Sequence, residues 1–388
     1  MKKNKMKKFT DKYFLRANEI LKKEGLNPWV NMQVFVRKGP GKIAGIDEAV
    51  NIILENSNIK KVGGRIYAKQ EGSNYNSKDT VMNIIAPIQE IIELETVYLG
   101  VIAKATTLHN DKKNINLEQI TKNVREIVRL ANRRDVLYFG ARHWHYEDDK
   151  KIAKAAYEGG IRSFATDNGA EQFGLKGLGT IPHALENVYA YYYGRENGTA
   201  KSVEAFDKHM PKSIPRIALV DYNNEEITDS IASVNILRDK ENPFITRLSG
   251  VRIDTCGENY GEKSKFTKTG KKYWQGKGVT TELAYNVRKA LDNAGTENRV
   301  KIILSSGFSN PEKVKAFNEA EEKYGVKLYD CIGAGFLDGV RTPTADVILV
   351  GKRADDVDFY VNNEAIQTNS VHKVGRPAIP NYDLERII

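Results

Sequence analysis

The sequence is poor in cysteine and has no long apolar run. Only Cys256 and Cys331 occur in 388 residues, which excludes a four-cysteine zinc site and is typical of a reducing compartment. The longest apolar stretches, near 97–103 and 345–350, have the length of strands or short core segments and not of a bilayer-spanning helix. No apolar segment follows the lysine-rich start, as a secretory signal would require. We therefore expect a soluble, cytoplasmic protein without a membrane partner.

Basic residues outnumber acidic residues, and this difference predicts an anionic partner. Lysine and arginine total 60 against 50 aspartates and glutamates, a formal charge of +10. Five of the first eight residues are lysines, so part of the excess belongs to a solvated terminus. No zinc-finger, helix-turn-helix or RNP-like pattern is present, which argues against nucleic acid without excluding it. A polyphosphate is the other class of partner that this charge fits.

The chain is long enough for two packed units, and its patterning changes near residue 115. Residues 62–100 have the pattern of short strands followed by an amphipathic helix, which is typical of an α+β unit. From Asn116 onward, apolar runs alternate with amphipathic helices, as parallel strands with crossover helices do. We predict an N-terminal α+β domain over 1–114, completed by the C-terminal segment 345–388, and an α/β domain over 115–344. Seven runs read as strands: 136–139, 161–165, 216–220, 251–254, 300–304, 328–332 and 345–350.

Capping residues mark two of the predicted helices. A helix over 280–294 is closed by Gly295. Asn310 can cap a second helix, Pro311 suits its first position, and Gly325 can adopt the left-handed conformation after its last turn.

Polar and glycine residues follow the strand-like runs, and their placement favours a barrel over an open sheet. The carboxyl ends of barrel strands converge on one mouth, whereas an open sheet spreads them along an edge. We therefore predict an irregular α/β barrel. The long loop 257–278 is either a lid over an anionic substrate or an exposed insertion. The residues at the predicted mouth include Gly140, Arg142, Thr166, Asp167, Asp221, Asp254, Thr255, Ser305, Ser306, Gly307, Gly333 and Gly335.

The segment 177–183 (GLGTIPH) carries the sharpest chemical signal. Pro182 suits a first helical turn, so His183 would lie near a helix N-terminus, where free N–H groups stabilise an added phosphate. Asp221, just past a strand-like run, is a candidate to orient its ring. An isolated Pro-His pair is more often a hydrogen-bonded core histidine, so the spacing alone leaves both interpretations open.

Other candidate sites carry weaker signals. His143 and His145 with Asp148 suggest a metal site, but an H-x-H pair without a third ligand is common by chance, and we expect no metal ligands. Phe139 beside Arg142 suits a planar aromatic carboxylate, and could equally be a core residue beside a surface residue. The glycine turns after two strands could cradle phosphate or merely reverse the chain. No Walker or Rossmann glycine pattern is present.

Taken together, these motifs resemble the nicotinate phosphoribosyltransferase family in its compact, archaeal-like form. The resemblance runs from near Phe9 to the C-terminal stretch. Its most specific element is 179–183 (GTIPH), which is similar to the family's G-T-x-[AP]-H motif. The other similar segments are 9–16 (FTDKYFLR), 94–100 (LETVYLG), 139–142 (FGAR), 219–223 (LVDYN), 252–255 (RIDT) and 344–346 (TAD).

The resemblance implies a type II phosphoribosyltransferase fold, a homodimer with shared active sites, and a defined reaction. Phosphoribosyl pyrophosphate and nicotinate would give nicotinate mononucleotide for NAD synthesis, with Mg²⁺ as cofactor and ATP as co-substrate. His183 would be phosphorylated by ATP and held by Asp221, with Asp254 as the third catalytic residue. Nicotinate would contact the partner subunit's Tyr13 together with Phe139, Arg142, Thr166, Asp167 and Arg252. The phosphoribosyl group would contact Thr255, Ser306, Gly307, Gly333 and Gly335.

The chain also departs from the family pattern. Thr166-Asp167-Asn168 replaces a Thr-Ser-Asn-like sequence, and an acidic residue here is typical of nicotinamide-using relatives and would repel nicotinate unless a cation compensates. Gly335-Phe336 stands where a hydroxyl residue usually follows the glycine, and the cysteine-rich zinc knuckle of some archaeal members is missing. Nicotinamide phosphoribosyltransferase is therefore the alternative function, and a basic nucleic-acid-binding protein is the alternative from another class.

Overall fold

The computed structural model describes residues 3–243, 245–264, 271–297 and 299–388. The helices are α1 (Lys3–Met6), α2 (Lys12–Glu24), α3 (Ile46–Asn56), α4 (Ile88–Ile91), α5 (Glu95–Asp111), α6 (Leu117–Leu130), α7 (Asp149–Gly159), α8 (Asp167–Ala170), α9 (His183–Tyr193), α10 (Gly198–His209), α11 (Glu226–Ile236), α12 (Thr281–Asn293), α13 (Pro311–Tyr324), α14 (Ala354–Val357) and α15 (Ala365–Asn369). The strands are β1 (Trp29–Val36), β2 (Gly41–Lys42), β3 (Arg65–Ala68), β4 (Asn74–Tyr75), β5 (Thr80–Pro87), β6 (Asp135–Tyr138), β7 (Ser163–Phe164), β8 (Ile217–Leu219), β9 (Gly250–Ile253), β10 (Lys301–Leu304), β11 (Cys331–Ala334), β12 (Pro343–Gly351) and β13 (Glu385–Arg386).

A six-stranded parallel sheet lies at the centre of the larger unit of the chain. Its strand order is β7-β6-β11-β10-β9-β8, and every pairing within it is parallel. Helices cross over between successive strands, as parallel pairing requires. The predicted combination of a barrel-like α/β sheet with an α+β unit is therefore confirmed.

An antiparallel sheet forms the second unit, with strand order β12-β1-β5-β3-β13. The central strands β1 and β5 are buried along almost their whole length, as expected for apolar strands covered on both faces. Helix α5 was expected to be amphipathic, yet most of it is buried. It contacts α3, β12 and the turn Ala141–His143, so both units cover it.

The strand-like run 345–350 lies in the antiparallel sheet. The prediction that it alternates with helices as a parallel strand was wrong. It belongs to β12, which pairs antiparallel with β1 from Trp29 to Val36. Arg341, just before this strand, forms two hydrogen bonds with the Asp111 carboxylate at the end of α5, both 2.9 Å long. This bidentate pair holds the start of β12 against α5 of the N-terminal unit.

The predicted capping residues Asn310 and Gly325 are present at the two ends of α13, the helix that follows β10. The Asn310 side chain accepts a hydrogen bond from the Glu312 N–H at 2.9 Å, and Gly325 follows α13 with φ of +65°. Thr280 caps α12 by accepting from the Leu283 N–H at 3.2 Å. These caps fix where the chain leaves the strands that carry the site.

The N-terminal segment docks on the open end of the parallel sheet. The Lys12 N–H donates to the Ala165 carbonyl at 2.8 Å, and Asp11 forms an isolated bridge with Thr166. Tyr13 is thereby brought to the carboxyl ends of the strands. Among the residues that the structure describes, no helix is both long and apolar enough to cross a membrane.

Candidate active site

A cavity of about 340 Å³ lies at the carboxyl ends of the parallel strands. Its wall combines loops of the barrel with residues of the antiparallel unit and of the C-terminal segment. Most of the predicted site residues meet here: Tyr13, Phe139, Arg142, His183, Arg252, Asp254, Ser306, Gly307, Gly333 and Gly335. The remaining ones, Thr166, Asp167, Asp221 and Thr255, do not line the cavity.

His183, Asp221 and Lys373 form one chain of contacts beside the cavity. His183 opens α9, and its Nε2 lies 3.1 Å from Asp221 Oδ1, just past β8. Lys373 Nζ lies 2.6 Å from Asp221 Oδ2 and also donates to the Asp221 carbonyl at 2.5 Å. Asp221 is fully buried and Lys373 is 4% exposed, so water screens little of this pairing.

The environment keeps Asp221 ionised. Burial by itself would raise the pKa of Asp221, but the Lys373 ammonium and the His183 ring lower the pKa well below its ordinary value. A carboxylate can only accept hydrogen bonds, so the proton between the two residues belongs to His183 Nε2. The lone pair of a neutral His183 then stays on Nδ1.

The wall of the cavity also carries an aromatic ring and two guanidinium groups. Arg252 lies 5.7 Å from the centroid of the Phe139 ring. Arg142 donates a hydrogen bond to the Tyr13 hydroxyl and lies 3.9 Å from the Glu95 carboxylate. A planar, negatively charged ring would find here both a stacking surface and cations to pair with.

Tyr13 lines the cavity of its own chain, and the expectation that a partner subunit supplies it stays a prediction. Helix α2 begins at Lys12, and the backbone contact between Lys12 and Ala165 holds this helix at the barrel mouth. The Tyr13 hydroxyl then reaches Arg142 of the same chain. The same-chain contact follows from the docking of the N-terminal segment.

Burial shifts the pKa of several acidic and basic groups around Arg142. It raises the pKa of Glu95 to about 8 and the pKa of Asp11 to about 6, with Arg142 opposing both shifts. Burial, followed by Arg142 and Arg37, lowers the pKa of His143 to about 3. At neutral pH, Glu95 is therefore mostly uncharged and leaves the positive charge of Arg142 available.

Gly333 and Gly335 make room for two rings. A Cβ on Gly333 would overlap the ring of Phe139, and a Cβ on Gly335 would lie 2.5 Å from the ring of His143. These glycines were expected at the phosphate site. They line the same cavity, and the closest neighbours of their open side are the aromatic rings, which only glycine allows at this distance.

The turn after β10 contains two consecutive residues with left-handed φ, a feature that can form an anion-binding turn. Ser306 and Gly307 have φ of +68° and +83°, and consecutive left-handed or turn residues direct backbone N–H groups to one side. Residues 305–309 line the cavity. Asp254, at the end of β9, also lines it, with its carboxylate 3.5 Å from Arg252.

Three predicted binding residues have other partners. Thr166 caps α8 and donates to Asp149 at 2.7 Å, and Thr255 donates to Glu226 at 2.5 Å. Asp167 is paired with Lys12 at 2.5 Å and accepts from the Gly177 N–H at 3.0 Å. These three side chains are held by neighbouring residues and do not line the cavity.

Several cavity residues were not predicted. Lys373 and Arg376 come from the C-terminal segment, where the sequence has no periodic pattern that places them. Asp11, Glu95 and Asp346 lie within the segments that resemble family motifs, FTDKYFLR, LETVYLG and TAD. Those motifs were therefore a signal for these three residues, whereas the two basic residues gave none.

The loop 257–278 contributes its first residues to the cavity wall, namely Gly257 and Glu258. Near its other end, the Tyr273 hydroxyl accepts from Asn310 at 3.0 Å. Residues 265–270, including Phe266, lie outside the described residues. Whether this loop acts as a lid or as an insertion stays a prediction.

The candidate metal pair has other partners. His145 Nε2 lies 3.0 Å from Glu48, and Asp148 is paired with Lys104 at 2.8 Å. His143 packs against Gly335 in the main cavity. Within the described ranges, no group of three or more histidine, cysteine or acidic side chains is arranged to hold a metal ion.

Known proteins resemble this chain in sequence and in fold. Residues 11–106 match the family model described as quinolinate phosphoribosyl transferase, N-terminal domain. Nicotinate phosphoribosyltransferase pncB2 of Mycobacterium tuberculosis is 26% identical over 248 residues, which are 63% of this chain and 43% of that protein. This chain therefore spans less than half the length of that relative.

Two crystal structures share the fold over most of the chain. The nicotinate phosphoribosyltransferase from Vibrio cholerae has a TM-score of 0.63 and 11% identity, and covers 89% of this chain and 86% of its own. The one from Porphyromonas gingivalis has a TM-score of 0.60 and 13% identity, and covers 88% and 89%. These matches confirm the predicted architecture.

Proposed function

We propose that this chain, which is similar to nicotinate phosphoribosyltransferases, converts nicotinate and phosphoribosyl pyrophosphate into nicotinate mononucleotide and pyrophosphate. One observation carries the proposal. A single cavity combines a stacking ring, Phe139, and two guanidinium groups, Arg142 and Arg252, with an anion-binding turn at Ser306 and Gly307. The reaction needs an anionic planar base and a phosphorylated sugar side by side, and these groups suit that pair.

The chemistry requires positioning more than a strong nucleophile. The lone pair of the pyridine nitrogen forms a bond to C1′ of the ribose while the bond from C1′ to the diphosphate oxygen breaks, and pyrophosphate leaves with that electron pair. Positive charge builds on the ribose in the transition state. Phe139 and the two arginines would align the base, and the Asp254 carboxylate would stabilise the charged sugar.

The contacts of Asp167 favour nicotinate over nicotinamide. Its carboxylate is neutralised by Lys12, accepts from the Gly177 N–H, and does not line the cavity. The compensating cation that an acidic residue would require at this position is therefore present. The charged groups that face the ring, Arg142 and Arg252, suit a carboxylate better than an amide.

We also propose that ATP phosphorylates His183. With Nε2 directed to Asp221, the free lone pair on Nδ1 would attack the γ-phosphorus of ATP, and ADP would leave with the electrons of the broken bond. The helix that begins at His183 places free backbone N–H groups near the added phosphate.

Mg²⁺ is expected to enter with the diphosphate of the substrate. Mg²⁺ keeps several waters and binds through one or two carboxylates together with phosphates, so it needs no complete protein cage. Asp254 is the cavity carboxylate that suits this role, and the ion would neutralise charge on the leaving group when bound. The homodimer with shared sites also stays a prediction, which light scattering after size exclusion would test.

The deciding experiment is identification of the product. The purified chain is incubated with isotopically labelled nicotinate or nicotinamide, phosphoribosyl pyrophosphate, Mg²⁺ and ATP, and the products are identified by mass spectrometry. We expect nicotinate mononucleotide and little nicotinamide mononucleotide. Turnover of nicotinamide alone would establish the alternative base, and absence of both products would refute the function. Salt-sensitive oligonucleotide binding without turnover would instead favour a nucleic-acid-binding protein.

A further inference from the structure

A buried lysine lies beneath the turn at the anion-binding end of the cavity. Lys313 belongs to the first turn of α13 and is 6% exposed. Within the described part of the chain it forms no ion pair with a carboxylate. A lysine this deeply buried is normally paired, so the ammonium of Lys313 is able to accept a counter-charge from outside the chain.

The ammonium of Lys313 has hydrogen-bonding capacity left over. Its Nζ donates to the Ser306 carbonyl at 2.8 Å, and this is the one acceptor that the described residues provide. An ammonium has three N–H donors. The rings of Phe308 and Tyr273 lie 4.5 and 5.8 Å from Nζ and offer only their π faces.

The remaining N–H donors of the Lys313 ammonium lie beside the open space above Gly307. A Cβ built on Gly307 would stand in otherwise open space and would have a single neighbour within 4 Å, Lys313 Nζ at 3.8 Å. Within the described ranges the backbone N–H groups of Ser306 and Gly307 donate to no backbone acceptor, and both residues have left-handed φ, so these groups can serve a ligand. An anion above Gly307 would meet both these N–H groups and the ammonium.

We propose that Lys313 is a phosphate-binding residue of this cavity. The proposal rests on the proposed function, since phosphoribosyl pyrophosphate is the molecule that brings phosphate to this turn. The substrate carries this chemistry in two places, its 5-phosphate and its diphosphate, and either fits a cation beside a ring of backbone N–H groups.

The electrostatic state of Lys313 supports this role. Burial lowers its pKa to about 7, and the Asp254 carboxylate opposes that shift. A phosphate placed beside Nζ would add a second, nearer negative charge and would stabilise the ammonium.

The test is binding by titration calorimetry at pH 6.5, below the Lys313 pKa of about 7, where most of the ammonium is charged. Ribose 5-phosphate, pyrophosphate with Mg²⁺, and phosphoribosyl pyrophosphate with Mg²⁺ are each titrated into the wild-type protein and three variants. Lys313→Met removes the charge at similar volume, Lys313→Arg keeps it, and Lys315→Met removes an exposed lysine of the same helix as a matched control.

We expect Lys313→Met to bind phosphoribosyl pyrophosphate at least tenfold more weakly, Lys313→Arg to recover part of the loss, and Lys315→Met to bind as the wild type does. Weaker binding of ribose 5-phosphate alone assigns Lys313 to the 5-phosphate, and weaker binding of pyrophosphate alone assigns it to the diphosphate.

The melting temperature of Lys313→Met should not fall, because a merely structural lysine would lower it. Unchanged affinities in Lys313→Met overturn this proposal. A wild-type protein that binds none of the three ligands overturns the proposed function itself.

Discussion

Replacement of Lys373 by methionine should destabilise the protein strongly, because it leaves the buried carboxylate of Asp221 without its cationic partner. Lys373 Nζ lies 2.6 Å from Asp221 Oδ2, and at that separation the attraction is about 6 kcal/mol at an effective dielectric constant near 20. The desolvation of both groups offsets part of this attraction in the native protein. The variant keeps the cost of burying Asp221 and loses the attraction, so we expect a loss of about 3–5 kcal/mol in the free energy of unfolding.

The assay is urea unfolding at pH 7, followed by both circular dichroism and tryptophan fluorescence. Lys352→Met, at an exposed lysine, is the control and should change the free energy of unfolding by less than about 0.5 kcal/mol. The double variant Asp221→Asn with Lys373→Met should recover most of the loss, since no charge is then left unpaired. A Lys373→Met protein as stable as the control, or a double variant no better than the single one, would refute the reasoning.

The pH dependence of this loss has a definite sign. In the wild type the pKa of Asp221 is lowered, so its stabilising contribution is complete above the ordinary pKa of 3.8 and is lost only as the pH falls toward the lowered value. Without Lys373, burial dominates, and the folded protein binds a proton at Asp221 more readily than the unfolded chain. The deficit of Lys373→Met should therefore be larger at pH 8 than at pH 5, and an unchanged deficit would contradict this assignment.

Three further changes address the base and the proposed phosphohistidine. His183→Ala should abolish stimulation by ATP while leaving some transfer, and steady-state rates with and without ATP would show this. Glu95→Gln should remove a rise in the KM for nicotinate above pH 8, because ionised Glu95, 3.9 Å from Arg142, would offset its charge. Gly333→Ala should displace the Phe139 ring and raise the KM for nicotinate roughly tenfold, as a loss of about 1.4 kcal/mol would, with the KM for phosphoribosyl pyrophosphate unchanged.

The fold could be predicted where local signals decide local structure. Asn310, Pro311 and Gly325 mark the ends of α13 because capping depends on residues next to each other in the chain. The parallel strands could be predicted for the same reason, because each is a run of apolar residues that are adjacent in the sequence. The run 345–350 was recognised as a strand, yet its partner is β1, some 300 residues earlier, and the residues of a strand do not specify the strand with which it pairs.

The site could be predicted in part, for a related reason. Asp221 closely follows β8, His183 begins α9, and both positions lie at the end of the parallel sheet where the strands converge, so their pairing could be predicted. The direction of a side chain at such an end does not follow, because Thr255 satisfies the buried Glu226 instead of facing the cavity. Lys373 was missed because it approaches from an irregular C-terminal segment.

The C-terminal segment therefore connects the cavity end of the parallel sheet with the antiparallel unit. The Val374 N–H donates to the Tyr222 carbonyl at 2.9 Å, and Asn259 donates to the Val374 carbonyl at 2.9 Å, so two barrel loops grip the backbone beside Lys373. Arg376, two residues after Val374, lies 3.5 Å from Asp346 of β12 in the other unit. Displacement of this segment would separate Lys373 from Asp221 and open the wall of the cavity at once. The charge that orients His183 and the packing of the two units thus depend on the same few residues.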